Sequence, residues 1–240
     1  MNRKPFWIFI VSAFLLAGCS GSSSDPAPAP IQPQTLQIGV LVPVTGGGPI
    51  NGAAQKAAVE FAVEDVNARL GGIQSPTRIE AVIKDTQSAV DLESQLIDDM
   101  HDKKIPIVVC SMTSESLGLV KPQIDAHGTV VLSELSTSPA LAIDDNLFRL
   151  VSDDKYSAKV LSDLMRENGV EKAIVYYRDD LWGTMLRNEL TSAFTAGGGA
   201  VAESIVYGFR TYPVDMDEKV ELLNAAVTRA LAGAASGKVA

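Results

Sequence analysis

The feature that most constrains this chain is an alternation, sustained from residue 36 to residue 232, between short apolar runs and longer stretches with one apolar face. In residues 36–44, Leu36, Ile38, Val40 and Val42 share one face and Leu41 and Val44 extend the apolar run, the pattern of a buried strand. Gly46-Gly47-Gly48-Pro49 breaks it, and residues 51–70 then place Val59, Ala62, Val63, Val66 and Leu70 on one helical stripe, closed by Gly71-Gly72. Residues 78–84 alternate again, Leu92, Leu96 and Met100 mark a second helix, and 105–110 read as a third strand. A third helix over 114–127 ends at Gly128, and 129–133 form a fourth strand. Helices crossing between short apolar strands predict an α/β fold with a doubly wound parallel sheet.

After Phe148-Arg149-Leu150 the pattern restarts: helix 153–168 with Gly169 just past its end, strand 172–177, helix 182–196, strand 200–207 and helix 214–232. Residues 236–240 read as a turn and the first residues of another strand. The division is therefore a first unit at 35–150 and a second at 151–240 that reads as incomplete, its two strands and three helices burying little, the alternative being a frayed natural terminus. Hydrophobic residues at 46% and charged residues at 20% suit ordinary globular packing and exclude disorder as an overall description.

The first 34 residues follow different rules. Arg3 and Lys4 precede an almost wholly apolar run, FWIFIVSAFLLA at 6–17, followed by Gly18 and Cys19. A charged start, a short apolar stretch and a small-residue cleavage site make an export signal over residues 1–18. Ser20-Gly21-Ser22 stops the run well short of the ~20 apolar residues a membrane span needs. Leu16-Ala17-Gly18-Cys19 resembles the bacterial lipobox, which implies a lipidated Cys19 as the mature N-terminus and a membrane held by acyl chains. One acyl chain binds only marginally; the resemblance implies two or three. Residues 19–34, rich in Ser and Pro, then form a solvated tether.

Charge and residue inventory exclude several functions. The net charge of -9 falls to -11 once Arg3 and Lys4 leave, which disfavours nucleic acid as a partner. With Cys19 lipidated, Cys110 has no disulfide partner and reads as a small buried hydrophobe; His101 and His127 are isolated, and no metal-ligand spacing occurs. Gly46, Gly48 and Gly52 are one residue too widely spaced for a dinucleotide loop, and Pro49 lacks an N–H, so no cofactor is expected. There is no G-x-S-x-G and no phosphate-binding loop, neither His sits at a strand end, and Asp144-Asp145 and Asp179-Asp180 read as solvated surface. Nothing points to an enzyme.

What does lie at the carboxyl strand ends, where open α/β sheets bind ligands, is polar and uncharged. Ser111-Met112-Thr113-Ser114 opens a helix whose N-terminal N–H groups suit a carboxylate, although the same residues suit plain N-capping. Leu135, Ser136 and Thr137, ahead of Ser138-Pro139, offer hydroxyls and carbonyls to an ammonium, or make an ordinary Ser/Pro loop. Trp182 follows the first strand of the second unit, where an aromatic closes over a ligand or simply packs.

The stretches IGVLVPVTG (38–46), AVEFAVEDVN (58–67), IVVCSMTSES (107–116), STSPAL (136–141), LFRLVSDD (147–154) and YYRDDLWG (176–183) resemble, in order and spacing, the type 1 periplasmic binding proteins of the leucine/isoleucine/valine-binding branch. The resemblance implies two doubly wound lobes that close on a small, amino-acid-like ligand, and delivery to an ABC permease from the periplasmic side of the envelope. It also implies roles: Ser114 on the ligand carboxylate, Thr137 on carboxylate and ammonium, Leu135 and Ser136 through their backbones, and Trp182 in the place of a second-lobe aromatic. Three departures stand out: Asn51 where an aromatic often stacks, Cys110-Ser111 for the usual Gly-Pro, and Glu134 where a small residue is common, which together point to a more polar ligand. The family runs well over a hundred residues further, so the chain reads as truncated. A regulator or sensor of the same fold, contacting a protein partner, is the other reading.

Overall fold

The computed structural model describes residues 32–46, 52–208, 216–232 and 239. The signal, Cys19 and almost all of the tether lie outside the described residues, as does Asn51; the described chain from Pro33 onward belongs to one compact unit. Seven parallel strands and six helices alternate along it. They are β1 (Gln34–Val42), α1 (Gly52–Gly72), β2 (Thr77–Asp85), α2 (Val90–Asp102), β3 (Ile107–Cys110), α3 (Ser114–His127), β4 (Val130–Ser133), β5 (Leu147–Arg149), α4 (Asp154–Glu167), β6 (Lys172–Asp179), α5 (Leu181–Ala196), β7 (Ala200–Gly208) and α6 (Met216–Leu231). A single 3-10 turn, Pro139–Leu141, joins β4 to β5.

The first sheet has the order β2-β1-β3-β4-β5, with every pair parallel. This is the doubly wound order, in which the chain turns from one side of β1 to the other between β2 and β3. The second sheet pairs β6 with β7, and an isolated parallel bridge from Lys172 to Val239 adds to the remaining edge of β6. β7-β6-Val239 thus follows the same order as the opening β2-β1-β3 of the first sheet.

The core of the first sheet lies on its α2–α3 side, where Leu41, Ile97, Met100, Val108, Met112, Leu117 and Ile124 are fully buried. Each side chain of this size contributes roughly 1.5–3 kcal/mol on burial. The opposite side differs from the sequence expectation. Of the predicted α1 stripe, Val66 is 42% exposed and none of the five residues is fully buried; Phe61 is 72% exposed. The amino half of β1 is open too, because β1 pairs with β2 along its length but with β3 only at Gly39–Leu41, leaving Leu36 beyond the cover of a second neighbour.

Local chemistry places the helix ends. The Thr113 hydroxyl accepts from the Ser116 N–H (3.2 Å), Asp153 caps α4 by accepting from Lys155 N–H (2.9 Å), and Asp180 caps α5 by accepting from Gly183 N–H (2.7 Å). Gly128 closes α3 in the left-handed conformation, at φ 64°. Asp180 therefore corrects a sequence expectation: it is 7% exposed and paired with Arg178 (2.5 Å), not solvated. Asp145 is corrected likewise, since it caps the Leu147 N–H (2.8 Å) and meets Lys121 (2.8 Å).

Candidate functional site

β1, β3 and β4 are neighbours in the first sheet, so the loops that leave their carboxyl ends lie side by side. The loop after β1 is braced by Asp85 at the end of β2, which accepts from Thr45 N–H (3.1 Å), Thr45 Oγ1–H (2.5 Å) and Gln87 N–H (2.9 Å). Slight desolvation of Asp85 is outweighed by the Thr45 hydroxyl and by the Gln87, Thr45 and Val44 amides, so its carboxyl sits below its ordinary range. Gly46 turns this loop at φ 100°, and a Cβ there would collide with the Gln87 carbonyl.

Ser114 is the first residue of α3, with Thr113 as the cap, and it is buried with Ser136 and Ser138. Its Oγ accepts from the Ser136 hydroxyl (3.1 Å) and from the Ser138 N–H (3.3 Å), while Ser136 N–H donates to Ser133 Oγ (3.2 Å). The loops after β3 and β4 are therefore laced together by hydroxyls. Ser138 Oγ is buried without a hydrogen-bond partner. Leu135 is half-buried beside them, and Thr137 points its hydroxyl elsewhere, donating to Asp154 Oδ2 (2.6 Å) at the start of α4.

Thr137 and Asp154 belong to a latch the sequence did not reveal. Arg149 donates to the Ser138 carbonyl (2.6 Å) and meets Asp153 Oδ2 (3.3 Å), and Asp154 N–H donates to the Thr137 carbonyl (3.0 Å). The passage from β5 to α4 is thus tied directly to the β4 loop. The one available signal was a base, Arg149, followed by acids four and five positions on, within LFRLVSDD.

Trp182 is not gathered with Ser114 and Ser136. It lines a separate cavity of about 290 Å³ with Leu161, Tyr176, Tyr177, Arg178 and Tyr207, its ring under the Arg178 guanidinium at 4.8 Å. The two places are nonetheless neighbours along the backbone: Leu181 N–H donates to Glu115 Oε2 (2.8 Å), and Leu181 packs against the first core. The N-termini of α3 and α5 therefore meet, each one residue from a predicted site residue.

Glu134 follows β4. Its Oε1 accepts from Gln55 Nε2 (3.0 Å), in the first turn of α1, and from the Ser111 hydroxyl. Cys110, just before Ser111, is fully buried, and burial pushes its thiol up to about 12, with smaller raising contributions from Glu93 and Glu134. His101 and His127 stack at 4.0 Å at the opposite end of the sheet, with His127 Nε2 2.7 Å from Asp98. Among the described residues no group of three His, Cys, Asp or Glu is placed to hold a metal ion, and no helix is long and apolar enough to cross a membrane.

The fold recurs in known proteins. The family model described as periplasmic binding protein matches residues 35–239. Leu/Ile/Val-binding protein homolog 3 of Brucella melitensis is 26% identical over 68% of this chain and 45% of its own. Among solved structures, a leucine binding protein of Thermotoga maritima superposes with a TM-score of 0.67 at 19% identity, over 80% of this chain and 54% of that one. A solute binding protein of an ABC transporter from Rhodopseudomonas palustris, in complex with 3,4-dihydroxybenzoic acid, gives 0.68 at 18% identity, over 80% and 52%. The chain spans about half the length of the curated relatives it matches, 51% and 45% of them.

Proposed function

Because this chain belongs to the periplasmic binding protein family, we propose that it is a lipid-anchored, extracytoplasmic solute-binding protein. In this reading it captures an amino acid or similar small polar ligand between a first lobe, 35–150, and a second, 151–240, for an ABC permease. One observation carries the reading: the loops after β3 and β4 converge on the N-terminus of α3 through Ser114, Ser136 and Ser138. A helix N-terminus with hydroxyls around it stabilises a carboxylate, and the crevice outside the carboxyl strand ends is where sheets of this order take ligands. In this reading Ser114 bonds the ligand carboxylate, Thr137, whose hydroxyl donates to Asp154, meets the carboxylate and ammonium, and Leu135 and Ser136 supply backbone groups. Trp182 closes from the α5 side, and closure desolvates the ligand. The names of the relatives, one for leucine, isoleucine and valine and one solved with an aromatic acid, support a small carboxylate-bearing solute.

Calorimetry against a panel of amino acids, with Ser114→Ala, Thr137→Ala and Trp182→Ala, tests the reading. A lost hydrogen bond to a charged group costs about 1.5–3 kcal/mol, so the two hydroxyl variants should bind roughly 10- to 150-fold more weakly. Trp182→Ala should act mainly on dissociation, because its contact forms on closure. Tight binding that is unchanged in all three variants places the ligand elsewhere. The anchor is tested separately by metabolic labelling with a fatty-acid probe, which should mark the wild type and not Cys19→Ala; equal labelling sinks that part.

A further inference from the structure

We propose that the cavity of about 290 Å³ between α4, α5 and the carboxyl halves of β6 and β7 is a second ligand site, one that takes a small anion with an apolar body. This goes beyond the solute-binding reading, since none of Ser114, Ser136 and Thr137 lines the cavity. Its volume falls near the lower bound of small-molecule sites, roughly 300–1,000 Å³. The apolar part of its wall follows from the period of α5. Trp182, Leu186 and Leu190 recur every fourth residue and so share one helical face, to which α4 adds Leu161. The rings of Tyr176 and Tyr207, stacked at 4.7 Å, add flat apolar surface.

The charge of the wall is all of one sign. Although the chain carries 29 acids against 20 bases, no Asp or Glu lines this cavity, whereas Arg178 and Arg187 do. Arg178 is committed to Asp180 (2.5 Å) and to the Trp182 ring. Arg187 differs: among the described residues it forms no ion pair, and its guanidinium lies 4.9 Å over the Tyr177 ring. Its Nε is buried without a hydrogen-bond partner. A guanidinium stays charged in proteins, and a buried N–H without an acceptor is costly. A carboxylate on a ligand supplies the acceptor and the countercharge together, in the fork geometry that arginine presents. An ammonium group instead meets a base that nothing neutralises, so the cavity discriminates against the amino acids proposed for the Ser114 site.

The test is calorimetry on the 240-residue chain with 3-phenylpropionate, 3-phenylpropanamide and phenethylamine, which share a ring and differ in charge. The wild type should prefer the anion to the other two. Arg187→Gln should weaken binding of the anion roughly 10- to 150-fold, the loss of one charge-assisted hydrogen bond, and leave the amide unchanged. Arg187→Lys keeps the charge without the fork, so it should retain part of the affinity, and it carries the test if the Gln variant does not fold. Hydrogen exchange locates the probe: 3-phenylpropionate should slow amides at 157–161, 175–178 and 186–190, with no change at 111–116 and 135–138. A wild type that binds none of the three or does not prefer the anion overturns the proposal, as does a folded Arg187→Gln with undiminished affinity for it. Protection at 111–116 and 135–138 instead also overturns it, and leaves solute binding at the Ser114 site standing.

Discussion

Glu93, in the first turn of α2, is 3% exposed, and its Oε2 is buried with no hydrogen-bond partner. Burial pushes its carboxyl up and the Ser116 hydroxyl only partly offsets this. Its folded form thus holds a proton more tightly than the unfolded chain does. The stability it contributes is full below about pH 4.3, the ordinary glutamate value, and is lost as pH rises through the folded value. Glu93→Gln should therefore raise the thermal midpoint at pH 7 by on the order of 1 kcal/mol, roughly 2–4 °C, with the gain vanishing below about pH 4. A melting series from pH 4 to 8 checks this; a Gln variant less stable than wild type at pH 7 would show that the charged form is favoured. Asp85 has the opposite sign. Its carboxyl sits below the usual range, so its bracing of the β1 loop holds above about pH 3.9 and weakens on acidification.

Between elements, α4 presents Tyr156, Val160 and Leu164 at i, i+4 and i+8, and they are 60%, 67% and 53% exposed. Substitutions at such positions change stability little, whereas an exposed apolar stripe favours association. Val160→Glu with Leu164→Lys should leave unfolding within about 0.5 kcal/mol per site and reduce self-association in sedimentation velocity. A loss above about 2 kcal/mol would mean that this face is packed. The same residues show what was legible in the sequence. Strand–helix order and the bounds of α3 were readable because period, cap and Gly128 agree. Burial was not: the Val59–Leu70 stripe has a helical period, but whether anything covers it is decided by neighbours that a local pattern does not encode. At the site, Ser114 and Ser136 were visible as strand-end hydroxyls. The turn of Thr137 toward Asp154, 17 residues on, depends on where α4 docks and left no mark in the sequence. Asp145 and Asp180 read as surface because their residue type is usually solvated, although their caps are local, to the Leu147 and Gly183 N–H groups, and an Asp just before a helical stretch is itself a cap signal; only the pairing of Asp145 with Lys121 is a tertiary fact.

At the scale of the whole molecule, one parallel sheet is built through β5, the Arg149–Asp153 and Thr137–Asp154 contacts carry the chain onward, and a second sheet begins in the same order. The strand-end loops of the first sheet and the N-terminus of α5 meet through Glu115 and Leu181. In the proposed reading a solute bound there touches both parts, and this is the central claim. Hydrogen exchange of the 240-residue chain, with and without saturating amounts of the best-binding amino acid from the panel, tests it most directly. Amides at 111–116 and 135–138 should exchange more slowly on binding, with a smaller effect at 181–183 and none around His101 and His127. Protection confined to the His101–His127 end, or no change at 111–116 and 135–138 in a complex that calorimetry shows to be formed, would contradict it.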